Sequence, residues 1–177
     1  EALIELAQGI AAQHVGTCGP LRSKRLIYSY RANRETLRRV YLGLVDAAHK
    51  GEPLTAGSEW LLDNYHVVER HAAAIKKYLP WGFYKTLPMV RQGDFKGFPR
   101  VYQLALEFII HTDAALDPQL AGIFLSAYQE KLELSSGELW AFPIMLRFAL
   151  LENLRRLMRE AEKELIARRD AFRLVDE

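Results

Sequence analysis

The sequence predicts an all-α protein, an irregular bundle of about six helices. Three observations carry this reading. Apolar residues recur at steps of three and four over long stretches. Runs that alternate apolar and polar residues, as strands do, are nearly absent. Helix-starting and helix-stopping residues fall between the periodic stretches.

The first helix is expected over Ala2 to His14, and Gly16, Gly19 and Pro20 break the chain after it. Residues 1–21 thus form an N-terminal helix and Gly/Pro linker, and 22–177 the main bundle of the same domain. A second helix runs from about Arg22 to Lys50, with Gly51 in the capping position and Pro53 beyond it. Thr55 is placed to cap a third helix that Pro80 ends after Leu79. In it Leu61, Tyr65, Val68, Ala72, Ile75 and Leu79 form one apolar stripe.

A long connection follows, from Trp81 to Gly97, carrying the aromatics Trp81, Phe83, Tyr84 and Phe95. A helical turn is expected near Phe83 to Leu87. Pro99 opens a fourth helix that reaches about Thr112 and is apolar on most of its circumference, as a central helix must be. Asp117 and Pro118 start a fifth, ending near Leu132. Ser135 and Glu138 have capping-box spacing for the sixth and longest helix, which extends to about Arg169 and contains Pro143 as an expected kink.

Composition narrows the function classes. Half of the 177 residues are hydrophobic, enough for one ordinary core. The formal net charge is +2, too mild to imply a nucleic-acid partner. One cysteine, Cys18, allows no intrachain disulfide and fits a small residue in a Gly-rich connection better than a reactive thiol. The most apolar stretch, Leu139 to Leu151, is too short to span a bilayer and is interrupted by Arg147. The chain starts with Glu1 in place of Met, and its first residues lack the basic head of a signal peptide. It reads as a trimmed product or a piece of a larger protein.

Polar residues on apolar helices are the candidates for chemistry. Arg100, Gln103, Glu107 and His111 fall three, four and four apart on the fourth helix. Glu59, Asp63, His66 and Arg70 make a similar stripe on the third, and Arg147 interrupts an apolar row on the sixth, near Glu152 and Asn153. A di-metal helical bundle would need two Glu-x-x-His motifs, and this chain has none, so no metal or other cofactor is expected. Acid–base catalysis by Glu107, Asp63 or Glu138 would need a cleft that separates their pKa values, and no phosphate loop or nucleophile motif accompanies them. The favoured expectation is structural: Asp63, His66, Arg100, Glu107, His111, Glu138, Arg147 and Glu152 form an interhelical polar network with no catalytic residue. In it a buried Arg147 would meet Glu107, Asp63 or Glu69. His14 and His49, near helix ends, are expected to be solvated or to face the helix dipole.

Basic residues cluster on the second helix (Arg22, Lys24, Arg25, Arg31, Arg34, Arg38, Arg39) and at the end of the sixth. They read as solvated faces or as a surface for anionic lipid head groups.

An ordered set of segments runs through the chain: Trp60 to Val68, Tyr84 to Pro88, Pro99 to Tyr102, His111 to Asp113, Ala127 to Gln129, Gly137 to Ala141 and Leu150 to Arg156, with Gly51-Glu52-Pro53 before them. In this order it resembles the helical N-terminal region of cyclic β-1,2-glucan synthases. The resemblance implies a parent enzyme of the bacterial inner membrane that polymerises glucose from UDP-glucose. It further implies a segment on the cytoplasmic face that precedes the transferase and phosphorylase-like domains and holds none of their catalytic residues. Its partners would be the rest of the same polypeptide. Two other expectations stand beside it: a carbohydrate- or partner-binding module using Trp81, Phe83 and Tyr84, and an independent helical enzyme or metal protein built on Asp63, His66, Glu107 and His111.

Overall fold

The computed structural model describes the backbone of residues 1–175 and side-chain surroundings as far as residue 171. Among these residues seven helices follow one another: α1 (Ala2–His14), α2 (Arg25–His49), α3 (Ala56–Tyr78), α4 (Trp81–Tyr84), α5 (Arg100–His111), α6 (Pro118–Gln129) and α7 (Ser136–Val175). The architecture is the all-α irregular bundle that the periodicity predicts. The expected turn in the long connection is α4, which begins at Trp81. Two short strands, β1 (Cys18–Gly19) and β2 (Met89–Val90), pair antiparallel where the Gly/Pro linker meets that connection.

Local chemistry explains where the helices stop and start. After α2, Gly51 takes a φ of 69°, and the amides of Gly51 and Glu52 close back on Ala48 and Ala47 at 3.1 and 3.0 Å. Those carbonyls would otherwise be orphaned. Thr55 accepts from the Ser58 amide at 3.2 Å to start α3, and Asp117 accepts from the Gln119 amide at 2.7 Å to start α6. α2 begins at Arg25, later than the expected Arg22, because Ser23 accepts from the Arg25 amide at 3.2 Å and leaves 20–24 non-helical. α7 continues through Pro143 and past Arg169 to Val175.

Packing puts α5 at the centre. Val101, Leu104, Ala105, Phe108 and Ile109 are all buried, and α5 lies along α7. Phe108 meets Phe124 of α6 and Phe142 of α7, with ring centroids 5.6 and 6.5 Å apart. α7 also packs on α3 and α2, and α1 lies on α6 and α5. Ala7, Ile10 and Ala11 of α1 join the same apolar cluster as Met145 and Phe148 of α7. In α3 the stripe is buried as expected except at Tyr65, which is half-buried and stacks on Tyr41 at 4.1 Å.

The connection between α4 and α5 is clamped to the start of α2. The Val90 amide donates to the Phe98 carbonyl at 2.9 Å, and the Gly97 amide to the Val90 carbonyl at 2.8 Å. The Arg25 guanidinium donates to the Lys96 carbonyl at 2.6 Å and sits 4.6 Å from the centre of the Phe98 ring. Gly97 has a φ of 84°, and a Cβ there would lie 2.8 Å from the Ser23 hydroxyl.

Gly97→Ala is therefore expected to lower unfolding stability by about 1–2 kcal/mol, measured by urea denaturation. Gly122→Ala is the control. It lies inside α6 with nothing within 4 Å of the added methyl, and should raise stability by roughly 0.5–1 kcal/mol.

Candidate functional site

The most enclosed polar cluster is built around Arg100 at the start of α5 and Glu138 in the first turn of α7. Glu138 is fully buried and Arg100 nearly so. The Arg100 Nε donates to Glu138 Oε1 at 2.6 Å, and Nη2 donates to Oε2 at 2.8 Å, a bidentate pair. Nη2 also donates to the Glu133 carbonyl at 2.8 Å. Glu138 closes the capping box as well: its Oε2 accepts from the Ser135 amide at 2.9 Å and hydroxyl at 3.0 Å, while its own amide donates to the Ser135 hydroxyl at 3.3 Å. Burial works against the charge on Arg100, but the Glu138 hydrogen bonds and carboxylate outweigh it and leave the guanidinium pKa above its ordinary value.

One turn further along α5, Gln103 extends the cluster to α1 and α6. His14 Nε2 lies 2.9 Å from Gln103 Oε1, and Nδ1 lies 2.9 Å from the Tyr128 hydroxyl. A carbonyl oxygen only accepts, so Nε2 carries the proton and Nδ1 accepts from Tyr128. That is the neutral imidazole, and burial holds its pKa below the ordinary 6.5. Burial likewise pushes the Tyr128 phenol upward, so it stays protonated. The expectation that His14 is solvated is corrected here. It is 2% exposed, because the buried face of α1 (Ala7, Ile10, Ala11) continues through it at helical spacing. That spacing was the signal in the sequence. Its partners were not readable, since they come from two other helices.

The remaining polar residues do not converge into one network. Glu107 is half-buried and pairs with exposed His111 on its own helix at 3.6 Å. Asp63 and His66 are exposed on α3. Arg147 is half-buried and among the described residues meets no carboxylate; its Nη1 lies 3.4 Å from His71 Nδ1, while Glu69 accepts from Arg34, Glu107 sits beside His111 and Asp63 is exposed. Glu152 forms a separate node, accepting from buried Asn33 of α2 at 2.7 Å and from Arg155. Among the described residues no group of three or more His, Cys, Asp or Glu side chains is gathered as a metal site would require. Of the candidate aromatics, Trp81 is 42% exposed, Phe83 is half-buried and Tyr84 is sealed in the core beneath Trp81. Only Trp81 among them presents a substantial surface to a ligand.

Two open grooves flank α3. The first, about 530 Å³, lies between α2, the end of α3 and Trp81, with Tyr30 and Phe148 lining it from the core. Lys24, Tyr28, Arg31, Arg34 and Lys76 line it too. Lys24 Nζ sits 5.4 Å from the centre of the Trp81 ring. The second, about 470 Å³, lies between α3 and α7 and is mainly apolar, with Trp60, Leu116, Pro143 and Leu150 among its walls. Trp60 and Leu116 are 49% and 53% exposed. Among the described residues no helix is long and apolar enough to cross a membrane.

Glu138→Ala should cost about 3–5 kcal/mol, because it strands a buried guanidinium. Arg100→Met combined with Glu138→Leu should restore most of that loss in the same urea titration, since the double change removes both charges. The His14 geometry predicts a pH dependence. Its folded pKa lies below the unfolded one, so between the two the unfolded chain binds the extra proton, and stability rises with pH. Stability should fall as pH drops below about 6.5, and His14→Gln should flatten that slope in acid-side melting curves.

No family model matches the chain. It is similar to the cyclic β-(1,2)-glucan synthase NdvB of Rhizobium meliloti (strain 1021), 34% identical over 148 residues. The match takes in 84% of this chain and only 5% of that protein.

Proposed function

We propose that this chain is a non-catalytic helical module of a cyclic β-1,2-glucan synthase, a fragment of a much larger polypeptide that makes β-1,2-glucan from UDP-glucose. The observation that carries the reading is the similarity to NdvB, which runs through most of the chain while spanning a small share of that protein. On this reading the module is a single domain on the cytoplasmic face of the bacterial inner membrane. It scaffolds or regulates the membrane-embedded transferase, and its partner is the rest of its own polypeptide.

Two physical features support a scaffolding role. The buried Arg100–Glu138 pair and the His14 branch tie α1, α5, α6 and α7 together, which favours a rigid body. The apolar groove between α3 and α7 leaves Trp60 and Leu116 uncovered, as a surface that packs on another part of the same protein would.

The test is made in a full-length synthase that carries this segment, reading glucan output and the amount of enzyme in the membrane separately. Deleting the segment should abolish most glucan synthesis or most assembled enzyme. Trp60→Glu with Leu116→Glu, both at exposed positions, should reduce one of the two without unfolding the module. Normal synthesis by the deletion variant would end the proposal.

A further inference from the structure

The groove between α2, α3 and Trp81 has an unusual donor balance. Among the described residues its lining contains four cationic side chains (Lys24, Arg31, Arg34 and Lys76) and no Asp, Glu, Asn or Gln. The chain as a whole is nearly neutral, so this is a local concentration of one sign of charge. Among the described residues Lys24, Arg31 and Lys76 make no salt bridge. Arg34 uses one Nη on Glu69 at 2.9 Å, but its Nε is enclosed without any hydrogen-bond partner. The Tyr30 hydroxyl donates its proton to the Ala72 carbonyl at 2.8 Å and retains only acceptor capacity. The charged side chains that line this groove can only donate.

A groove whose charged side chains only donate favours a ligand rich in acceptors. Neutral glucan fits less well, because every sugar hydroxyl also brings a proton that needs an acceptor, and the side chains here that can accept are the Tyr28 and Tyr30 hydroxyls. A phosphate group brings acceptor oxygens and more than one negative charge, which suits a groove lined by several cations. At the mouth, Tyr28 is 59% exposed and Trp81 42%, giving flat apolar surface beside the cations. The volume, about 530 Å³, falls in the range of small-molecule sites.

We infer that this groove binds a small phosphate ester that carries a ring, with the phosphate held by Arg31, Arg34 and Lys76 and the ring against Tyr28 and Trp81. Lys24 completes the charge at the open end. The inference rests on the groove alone and does not depend on the parent enzyme proposed above.

The protein has three tryptophans, and Trp60 and Trp140 are 49% and 82% exposed. Trp60→Phe with Trp140→Phe therefore leaves Trp81 as the single reporter in a folded chain. Titration with ADP or glucose 1-phosphate should change Trp81 fluorescence saturably, pyrophosphate should bind more weakly, and glucose should give no response. Raising salt should weaken binding. Arg31→Glu with Lys76→Glu, both at exposed positions, should weaken it by roughly tenfold or more at unchanged melting temperature. Absence of saturable binding by either phosphate ester, or binding that the double variant leaves intact, overturns the inference. Vesicles of phosphatidylglycerol and phosphatidylcholine are tested alongside. A response to them with none to ADP or glucose 1-phosphate also overturns it, and assigns the groove to lipid phosphate.

Discussion

A buried carboxylate is tolerable only if its lone pairs are matched, and Glu138 meets that condition from two directions at once. Arg100 supplies two donors from α5, and Ser135 supplies two from the turn before α7. The same side chain is therefore a helix cap and half of an ion pair. Removing either charge leaves the other without solvent, so the first turn of α7 and the first turn of α5 are held in register. Glu133 adds its carbonyl, which fixes the turn between α6 and α7 as well.

The rest of the bundle builds outward from that register. With α5 set against α7, Gln103 is placed to meet His14, and His14 to meet Tyr128, so α1 and α6 are tied to the centre. The apolar face of α1 packs Ala7, Ile10 and Ala11 into the core, and this polar link ties the same face to α5 and α6. On the opposite side α7 supplies Phe148 beneath Tyr30, which lines the cationic groove from below. One long helix thus serves a dry polar junction at its start and an open, charged groove further along.

The basic residues divide in an informative way. Near the end of α7 two of them are spent within the molecule, Arg169 donating to Glu52 at 2.7 Å and Arg155 reaching Glu152, and Arg39 of α2 meets Glu162 of α7. Such exposed pairs contribute little stability singly, but they quench local charge. Along the first half of α2 Arg34 meets Glu69, but among the described residues Arg31 makes no salt bridge, nor do Lys24 and Lys76 across the groove, so the groove keeps a local excess of positive charge.

Helix content, most boundaries and the buried stripes were legible in the sequence, because they depend on local chemistry. Thr55, Asp117 and Gly51 act within one turn of themselves, and the stripe through Leu61 and Ile75 needs only the helical period. The Ser135–Glu138 capping box is equally local. Tertiary structure alone decided which polar residues meet. Arg100 and Arg147 look alike as cations on apolar helices, yet one is enclosed against Glu138 and the other lies at a groove beside His71. Tyr84 and Trp81 look alike as aromatics in a connection, yet one is core and the other surface. The physical reason is common to both cases. A helix sets the direction of a side chain relative to its own axis, and the partner it reaches depends on how separate helices cross, which no local spacing encodes.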